Sequence, residues 1–319
     1  MNLLFRDVAG PCLAPRGSAV CIGAFDGVHR GHQAVLAQVR ESAQAQGLTP
    51  VAVSFDPIPR VFFARGKGMP QLSSVREKIA LLRQAGMERV LLLRFDAGLA
   101  AMSAQDFVER VLIARLDAKQ VWVGEGFRFG HARVGDLALL QRMGGAHGFS
   151  AGEVAPFALD GERVSSSRIR ALLGAGDFTA AAYLLGRRFA IGGHVVRGAQ
   201  LGRKLGYPTA NLRLGSRVSP VSGVFAVKVH GVRAQQMPGV ASLGTRPTVD
   251  GREVLLEAHL FDFDGDLYGK RIEVEFVYKL RDEEKFDSLD AMVKQIDRDA
   301  ATARDILGLS TTARAGAKT

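Results

Sequence analysis

Short apolar runs alternate with helix-patterned stretches over the first half of the chain. Ala19–Gly23, Val51–Phe55, Val90–Leu93 and Gln120–Val123 are brief, mostly apolar on consecutive positions and rich in Val and Leu, the pattern of buried strands. Between them His32, Val35, Leu36 and Val39 recur at the spacing of one helix face, and Phe107, Val108, Val111 and Leu112 form a similar stripe. Strand–helix–strand repetition predicts a parallel sheet covered by helices. From about Phe189 the pattern changes. Strand-like runs at Gly223–His230, Gln236–Leu243, Val254–Phe261 and Arg271–Tyr278 lie close together, separated by turns such as Asp264-Gly265-Asp266 and Val249-Asp250-Gly251. That spacing predicts a small antiparallel barrel. Ser288–Leu307 reads as one amphipathic helix with Leu289, Met292, Val293 and Ile296 on one face. The expected fold is α/β: a parallel-sheet domain over residues 1–185, an antiparallel β-barrel domain with a terminal helix over 186–310, and a small, polar, flexible tail over 311–319. The boundary is expected near Gly186.

Composition changes this picture only in places. With 319 residues, 47% of them hydrophobic, the chain can bury a sizeable core. The net charge of +10 is unevenly spread: between Arg163 and Arg217 ten Lys or Arg stand against one acidic residue, Asp177. Such a field concentrates polyanions. It suits ATP and, on charge alone, RNA. RNA modules add exposed aromatics among their basic residues, and only Phe178, Tyr183, Phe189 and Tyr207 are available in that stretch, so nucleic acid is not an expected partner. Cys12 and Cys21 make neither a metal spacing nor a disulfide framework and read as reduced thiols. Residues 1–16 carry Arg6, Asp7, Pro11 and Pro15 without a long apolar core, unlike a secretory signal. No run approaches the roughly 18 apolar residues of a membrane span. The expectation is a cytoplasmic protein with no membrane partner, and homo-oligomerisation is left open.

Two segments set glycines beside phosphate-binding side chains. Gly23-Ala24-Phe25-Asp26-Gly27-Val28-His29-Arg30-Gly31-His32 follows the first predicted strand, at the end where parallel sheets bind ligands. Gly27 and Gly31 permit close backbone approach, and the next helix offers its N-terminal N–H groups to an anion. His29 and His32 can both hydrogen-bond a phosphoryl group as charge builds during an in-line displacement; capping the helix is the plainer role for one of them. Arg163-Val164-Ser165-Ser166-Ser167-Arg168-Ile169-Arg170 adds hydroxyls ahead of a helix and arginines that clamp a triphosphate, or else an ordinary Ser cap with a solvated basic face. The second segment is Leu201-Gly202-Arg203-Lys204-Leu205-Gly206-Tyr207-Pro208-Thr209-Ala210-Asn211. Its glycines and cations fit a phosphate loop, a Gly/Pro surface loop being the alternative. Thr209 and Asn211, two apart on one side of an extended segment, offer oxygen ligands of the kind Mg²⁺ accepts alongside ATP oxygens. Two ATP sites in series imply two consecutive reactions on ATP.

The first segment resembles the signature of the HxGH nucleotidyltransferase superfamily, whose domain is Rossmann-like. Ser54-Phe55-Asp56-Pro57-Ile58-Pro59, Val123-Gly124-Glu125-Gly126-Phe127-Arg128-Phe129-Gly130 and Arg133-Val134-Gly135-Asp136 are similar to its FAD-synthetase branch. In the second half, Gly223–Val227, Gly244–Thr248, Leu256–Leu260, Phe263–Gly269 and Leu280–Phe286 resemble riboflavin kinase. In this order, from roughly Ser18 to Ile306, the motifs resemble the prokaryotic bifunctional riboflavin kinase/FAD synthetase family.

The resemblance implies flavin cofactor biosynthesis: riboflavin and ATP give FMN in the C-terminal module, and FMN and ATP give FAD and pyrophosphate in the N-terminal one, both with Mg²⁺. It implies that Gly23, Phe25, Asp26, Gly27, His29, His32, Arg163, Ser166, Ser167 and Arg170 bind ATP for adenylyl transfer, with His29 and His32 catalytic. Gly202, Arg203, Lys204, Gly206, Pro208 and Thr209 would bind ATP for phosphorylation, and Thr209 and Asn211 would hold the metal. Glu257 becomes the base that takes the ribityl 5′-hydroxyl proton, although the strand around it also fits a plain edge-strand Glu. Arg281, Glu283 and Phe286 would meet the flavin, Phe286 with an aromatic face or in helix packing instead. Two positions depart from the family: Gly126 stands where Asp or Asn is usual, and Ile58 where His is frequent. The change at Gly126 predicts weakened adenylyl transfer, a kinase-only protein being the alternative. Asp262, Asp264 and Asp266 read as a polar hairpin turn, and Trp122 as core.

Overall fold

The computed structural model describes residues 3–64, 68–198, 202, 205–215, 217–248 and 251–309, with side chains left aside at 245–248 and 251–253. It divides into two compact units, Met1–Arg168 and Ile169–Thr319.

In the first unit the strands are β1 (Leu4–Phe5), β2 (Ser18–Ile22), β3 (Thr49–Asp56), β4 (Arg89–Arg94), β5 (Ala118–Gly124) and β6 (Ser150–Val154). They form one sheet in the order β1-β4-β3-β2-β5-β6, every pair parallel. Crossovers carry α1 (Arg30–Gln46), α2 (Pro59–Phe63), α3 (Val75–Gln84), α4 (Ala97–Ala101), α5 (Ala104–Phe107) and α6 (Leu137–His147). A short hairpin of β7 (Ala158–Leu159) and β8 (Glu162–Arg163) precedes α7 (Ser166–Gly174). Every residue of β2 is buried. Val20 and Ile22 enter one apolar cluster while Ala19 and Cys21 enter another, so alternate side chains feed cores on opposite faces of the sheet. The chain winds outward from β2 in both directions, which opens a crevice at the C-terminal ends of β2 and β5.

The four predicted strands of this half lie within a residue of β2 or inside β3, β4 and β5. Two edge strands were not anticipated: β1 spans only two residues, and β6 carries Gly152. A Cβ at Gly152 would stand 2.8 Å from the Trp122 ring, so the indole lies across the edge strand. It is half-buried against the core rather than within it. The stripe at Phe107–Leu112 is helical as expected, but past α5 it widens into a π-helix over Val108–Arg115. Ser74 and Glu77 form a reciprocal capping box that starts α3.

In the second unit α8 (Phe178–Leu185) leads into β9 (Ala190–Val196), β10 (Ala210–Arg213), β11 (Gly223–His230), β12 (Met237–Thr248), β13 (Gly251–Leu260) and β14 (Arg271–Arg281). These close into a barrel, β10-β13-β12-β11-β14-β9, with all neighbours antiparallel. The division between units falls ahead of Gly186, where the boundary was expected. Phe178 of α8 packs at 5.8 and 5.9 Å from Phe225 and Phe276 of the barrel core, and a buried Phe is worth about 2–3 kcal/mol. On β13 Leu256, Ala258 and Leu260 point into the barrel, which leaves Glu257 and His259 on its outer face. Val224, Ala226, Val240 and Phe261 on that outer side pack against Ala300 and Ala303 of the terminal helix α9 (Leu289–Ile306), whose first turn Ser288 caps. Asp266 accepts from Tyr268 N at 2.9 Å and Asp262 pairs with Arg304 at 2.8 Å, as befits a polar turn. No helix among the described residues is long and apolar enough to cross a membrane.

Candidate active sites

The turn after β2 is held in an unusual backbone shape. Phe25, Gly27 and Val28 all have positive φ, at 46°, 79° and 40°, and a β-branched residue there is strained. Burial of Phe25 and Val28 holds the turn. So does Asp26, whose Oδ1 accepts from Leu72 N and Ser73 N at 2.9 and 3.2 Å, while Ser73 Oγ accepts from Gly27 N at 3.0 Å. Asp26, expected among the ATP-binding groups, shapes the turn through its carboxylate.

His29 caps α1, as its plainer role foresaw: its Nδ1 accepts from His32 N at 3.3 Å. A neutral ring accepting through Nδ1 carries its proton on Nε2, which makes Nε2–H the donor this ring can offer a phosphate. The two rings stack with centroids 3.7 Å apart. Burial first, then the neighbouring His29 and Lys78, hold the His32 pKa well below the usual imidazole range. His32 Nδ1 is buried and has no hydrogen-bond partner among the described residues. A Cβ at Gly31 would lie 3.2 Å from the His29 ring and 3.3 Å from the carbonyl oxygen of Val164; glycine lets the 163–167 segment lie against the turn. There Ser166 Oγ donates to the Asp26 carbonyl at 3.3 Å, and Ser165, not one of the expected ATP-binding serines, accepts from Arg168 N at 3.3 Å as the helix cap. Ser167 is exposed, and Arg163 reaches across to Glu125 at 2.8 Å. Arg170 falls in the second compact unit. Gly126 adopts φ 68° with open space around its Cβ position. Ile58 is buried and occupies the N-cap position of α2.

The first unit also holds a cavity of about 960 Å³ that sequence reasoning missed. Phe62, Phe63, Phe95, Phe127 and Phe129 wall it, several of them in edge-to-face contact. They follow β3, β4 and β5 respectively, so one sheet edge gathers rings spread along the chain. The signal available was Phe127-Arg128-Phe129 within a recognised motif.

In the second unit a cavity of about 320 Å³ is bounded by the outer barrel face, the loop after β14 and α9. It gathers Gly202, Thr209, Glu257, Arg281, Glu283 and Phe286, which the sequence singled out for the site, with Met292 and Ile296, expected only as the apolar face of α9, and Asp299, which the sequence did not single out. Glu257 stands directly opposite Asn211 in the β10–β13 register. Asn211 is buried, and its Nδ2 donates to the Thr209 carbonyl at 3.2 Å and lies 3.4 Å from Thr209 Oγ1. Its Oδ1 is buried with no partner among the described residues. An orphaned amide oxygen beside a threonine hydroxyl suits a hard cation that takes its remaining ligands from phosphates. Among the described residues no cluster of three or more His, Cys, Asp or Glu could hold a metal. Arg281 was expected at the flavin; its guanidinium is engaged by both oxygens of Asp299 at 2.8–3.1 Å and lies 5.7 Å from the Phe286 ring. Glu283 covers Gly244, where any side chain would collide with its carboxylate. A further cavity of about 480 Å³ shares Thr209 and is lined by Pro208, Phe263, Asp264 and Tyr268. Gly206 has φ 84°. Arg203 and Lys204 lie outside the described residues.

Comparison with known proteins agrees with this two-site arrangement. A family model described as FAD synthetase matches residues 13–168, and one described as riboflavin kinase matches residues 185–307. The bifunctional riboflavin kinase/FMN adenylyltransferase of Escherichia coli (strain K12) is 44% identical over 308 residues, covering 96% of this chain and 98% of the relative. The protein of that name from Pseudomonas fluorescens is 46% identical over 296 residues, 91% of this chain and 93% of its own. A crystal structure titled as a macrolide-efflux protein from Streptococcus pneumoniae superposes with a TM-score of 0.76 at 30% identity, covering 95% of this chain and 99% of that one.

Proposed function

The chain belongs to the family of bifunctional riboflavin kinases/FMN adenylyltransferases, and from that membership we propose how its residues divide the two reactions. The protein phosphorylates riboflavin with ATP to FMN and adenylylates FMN with ATP to FAD and pyrophosphate. We assign adenylyl transfer to residues 1–185 and phosphorylation to 186–310.

In adenylyl transfer an FMN phosphate oxygen attacks the α-phosphorus of ATP. The new P–O bond forms in line as the bond to the β-phosphate breaks, and its electron pair leaves on pyrophosphate. His29 donates through Nε2–H and His32 adds a second neutral imidazole, so both stabilise developing oxyanion charge by hydrogen bonding. Ser167 and Arg163 take the outer phosphates. The aromatic cavity receives the isoalloxazine, a planar apolar ring that edge and face contacts of its phenylalanines suit.

In phosphorylation Glu257 accepts the ribityl 5′-hydroxyl proton as that oxygen attacks the γ-phosphorus and ADP leaves. The supporting observation is that Thr209 borders two cavities, one containing Glu257 and the other next to Pro208. The flavin takes the first and the nucleotide the second. Asn211 Oδ1 and Thr209 Oγ1 would hold Mg²⁺, which when bound screens the triphosphate and orients it.

The test is chromatography of products from riboflavin, ATP and Mg²⁺ with three proteins. Wild type should yield FMN and then FAD. Glu257→Gln should leave riboflavin unchanged yet still convert added FMN to FAD; His29→Asn should accumulate FMN. If Glu257→Gln makes FMN at the wild-type rate, the assignment of the base is wrong.

A further inference from the structure

Beneath the histidine pair lies a charged side chain that none of the motifs above includes. Lys78, on α3, is buried, and its Nζ donates to the Phe55 carbonyl at 3.2 Å and lies 3.5 Å from Ser54 Oγ. Ser54 Oγ in turn donates at 3.2 Å to the carbonyl of Ala24, in the turn that carries the histidines. We propose that Lys78 is a positioning residue of the adenylyl-transfer site, a fixed cation built into its floor that acts on phosphate through His32 and the turn. This rests on placing adenylyl transfer at the histidine pair.

A lysine is rarely buried, because desolvating its charge is expensive. Here an apolar residue of similar length would fill the same space between β3 and the turn, and yet a cation is present at the sheet edge where a triphosphate would bind. The groups that face it are His32 from α1, Asp26 from the turn and Asp56 at the end of β3. Asp56 is itself 4.0 Å from Arg6, and Asp26 accepts two backbone N–H groups, so both acids have other partners. The cation also disfavours protonation of His32, which keeps that ring a neutral hydrogen-bonding group. Burial lowers the Lys78 pKa to about 8 despite Asp26 and Asp56, so the charge is present at neutral pH and lost on the alkaline side.

The experiment follows conversion of FMN to FAD from pH 6 to 9.5 at saturating ATP and Mg²⁺, with riboflavin phosphorylation by the same protein as control. Wild-type kcat for adenylyl transfer should fall as pH rises through about 8, and Lys78→Arg should abolish that fall. Lys78→Met should lower kcat at pH 7 about tenfold or more. Riboflavin phosphorylation should keep its profile in all three. Urea unfolding followed by the fluorescence of Trp122, the single tryptophan and a first-unit residue, reports whether a variant is folded; should the methionine variant not fold, the arginine variant's profile decides. A flat wild-type alkaline limb, or full kcat in folded Lys78→Met, overturns the role of Lys78. Full FAD synthesis by His29→Asn and His32→Asn would instead overturn the underlying site, whatever Lys78 does.

Discussion

Removing Asp299 should loosen the terminal helix and weaken flavin handling in the kinase unit alone. Asp299 side-chain exposure is 8% and that of Arg281 is 20%, and they share three hydrogen bonds of 2.8–3.1 Å. Gln295 Nε2 adds a fourth to Asp299 at 3.0 Å. Asp299→Ala leaves a largely buried guanidinium with only Glu284, 3.3 Å from its Nη1, and the Asp282 carbonyl at 3.0 Å, which costs about 3 kcal/mol, the low end for breaking a buried pair. Asp299→Asn keeps one acceptor and loses the charge, costing about 2 kcal/mol. A second tie, Tyr207 hydroxyl to Asp297, remains, so α9 should open locally before the barrel unfolds. Hydrogen exchange of amides 292–306 should then accelerate about a hundredfold in the alanine variant, the equivalent of about 3 kcal/mol. The KM for riboflavin should rise several-fold, because Arg281 no longer stands fixed over Phe286 and beside Glu283. Turnover of FMN to FAD serves as the internal control and should not change. Unaltered exchange in α9 together with an unaltered riboflavin KM would refute the idea that this pair fastens the helix over the cavity.

Three further outcomes follow from the geometry. Gly126→Asp places a carboxylate in open space at φ 68°, a conformation Asp tolerates better than most residues; FAD formation should rise while stability changes by no more than about 1 kcal/mol. No gain in FAD formation would show that position 126 does not limit the rate. Asn211→Ala removes the unpartnered Oδ1 and should raise the Mg²⁺ concentration needed for half-maximal riboflavin phosphorylation, with no shift in that for FAD synthesis measured side by side. Burial holds Lys78 in the folded chain to a pKa of about 8, well below the ordinary lysine value of 10.5. The unfolded chain therefore binds one more proton between those values, and stability of the first unit should climb by up to about 3 kcal/mol across that window. The penalty is fully present below pH 8. Urea midpoints read by Trp122 at pH 7.5 and 10 should show that rise in wild type and not in Lys78→Met.

Much of this molecule is written in runs of adjacent residues. Continuous apolar runs rich in Val and Leu marked β2 to β5, and closely spaced strand-like runs between turn residues marked β11 to β14, because a buried strand must show itself within a few positions. The helix over Ser288–Leu307 was legible from its apolar face, and Ser288 caps it. Motif residues at short spacing singled out His29, His32, Thr209 and Asn211 as candidates, and the family resemblance singled out Glu257. What stayed hidden depended on approach between distant segments. β10 carries no apolar run and exists because β9 and β13 flank it. Nothing near Asp26 announces that its carboxylate is taken by Leu72 and Ser73, and nothing near Arg281 announces Asp299. Phenylalanines separated by whole crossovers, from Phe62 and Phe63 through Phe95 to Phe127 and Phe129, form one cavity only once β3, β4 and β5 end on the same edge. Lys78 reads as an ordinary lysine of an amphipathic helix until burial sets it under His32. Local pattern thus determined the elements and named the candidate reacting groups; the charge states, the committed partners and the cavities were decided by tertiary structure, because desolvation and Coulomb interactions depend on distance in space and not on distance along the chain.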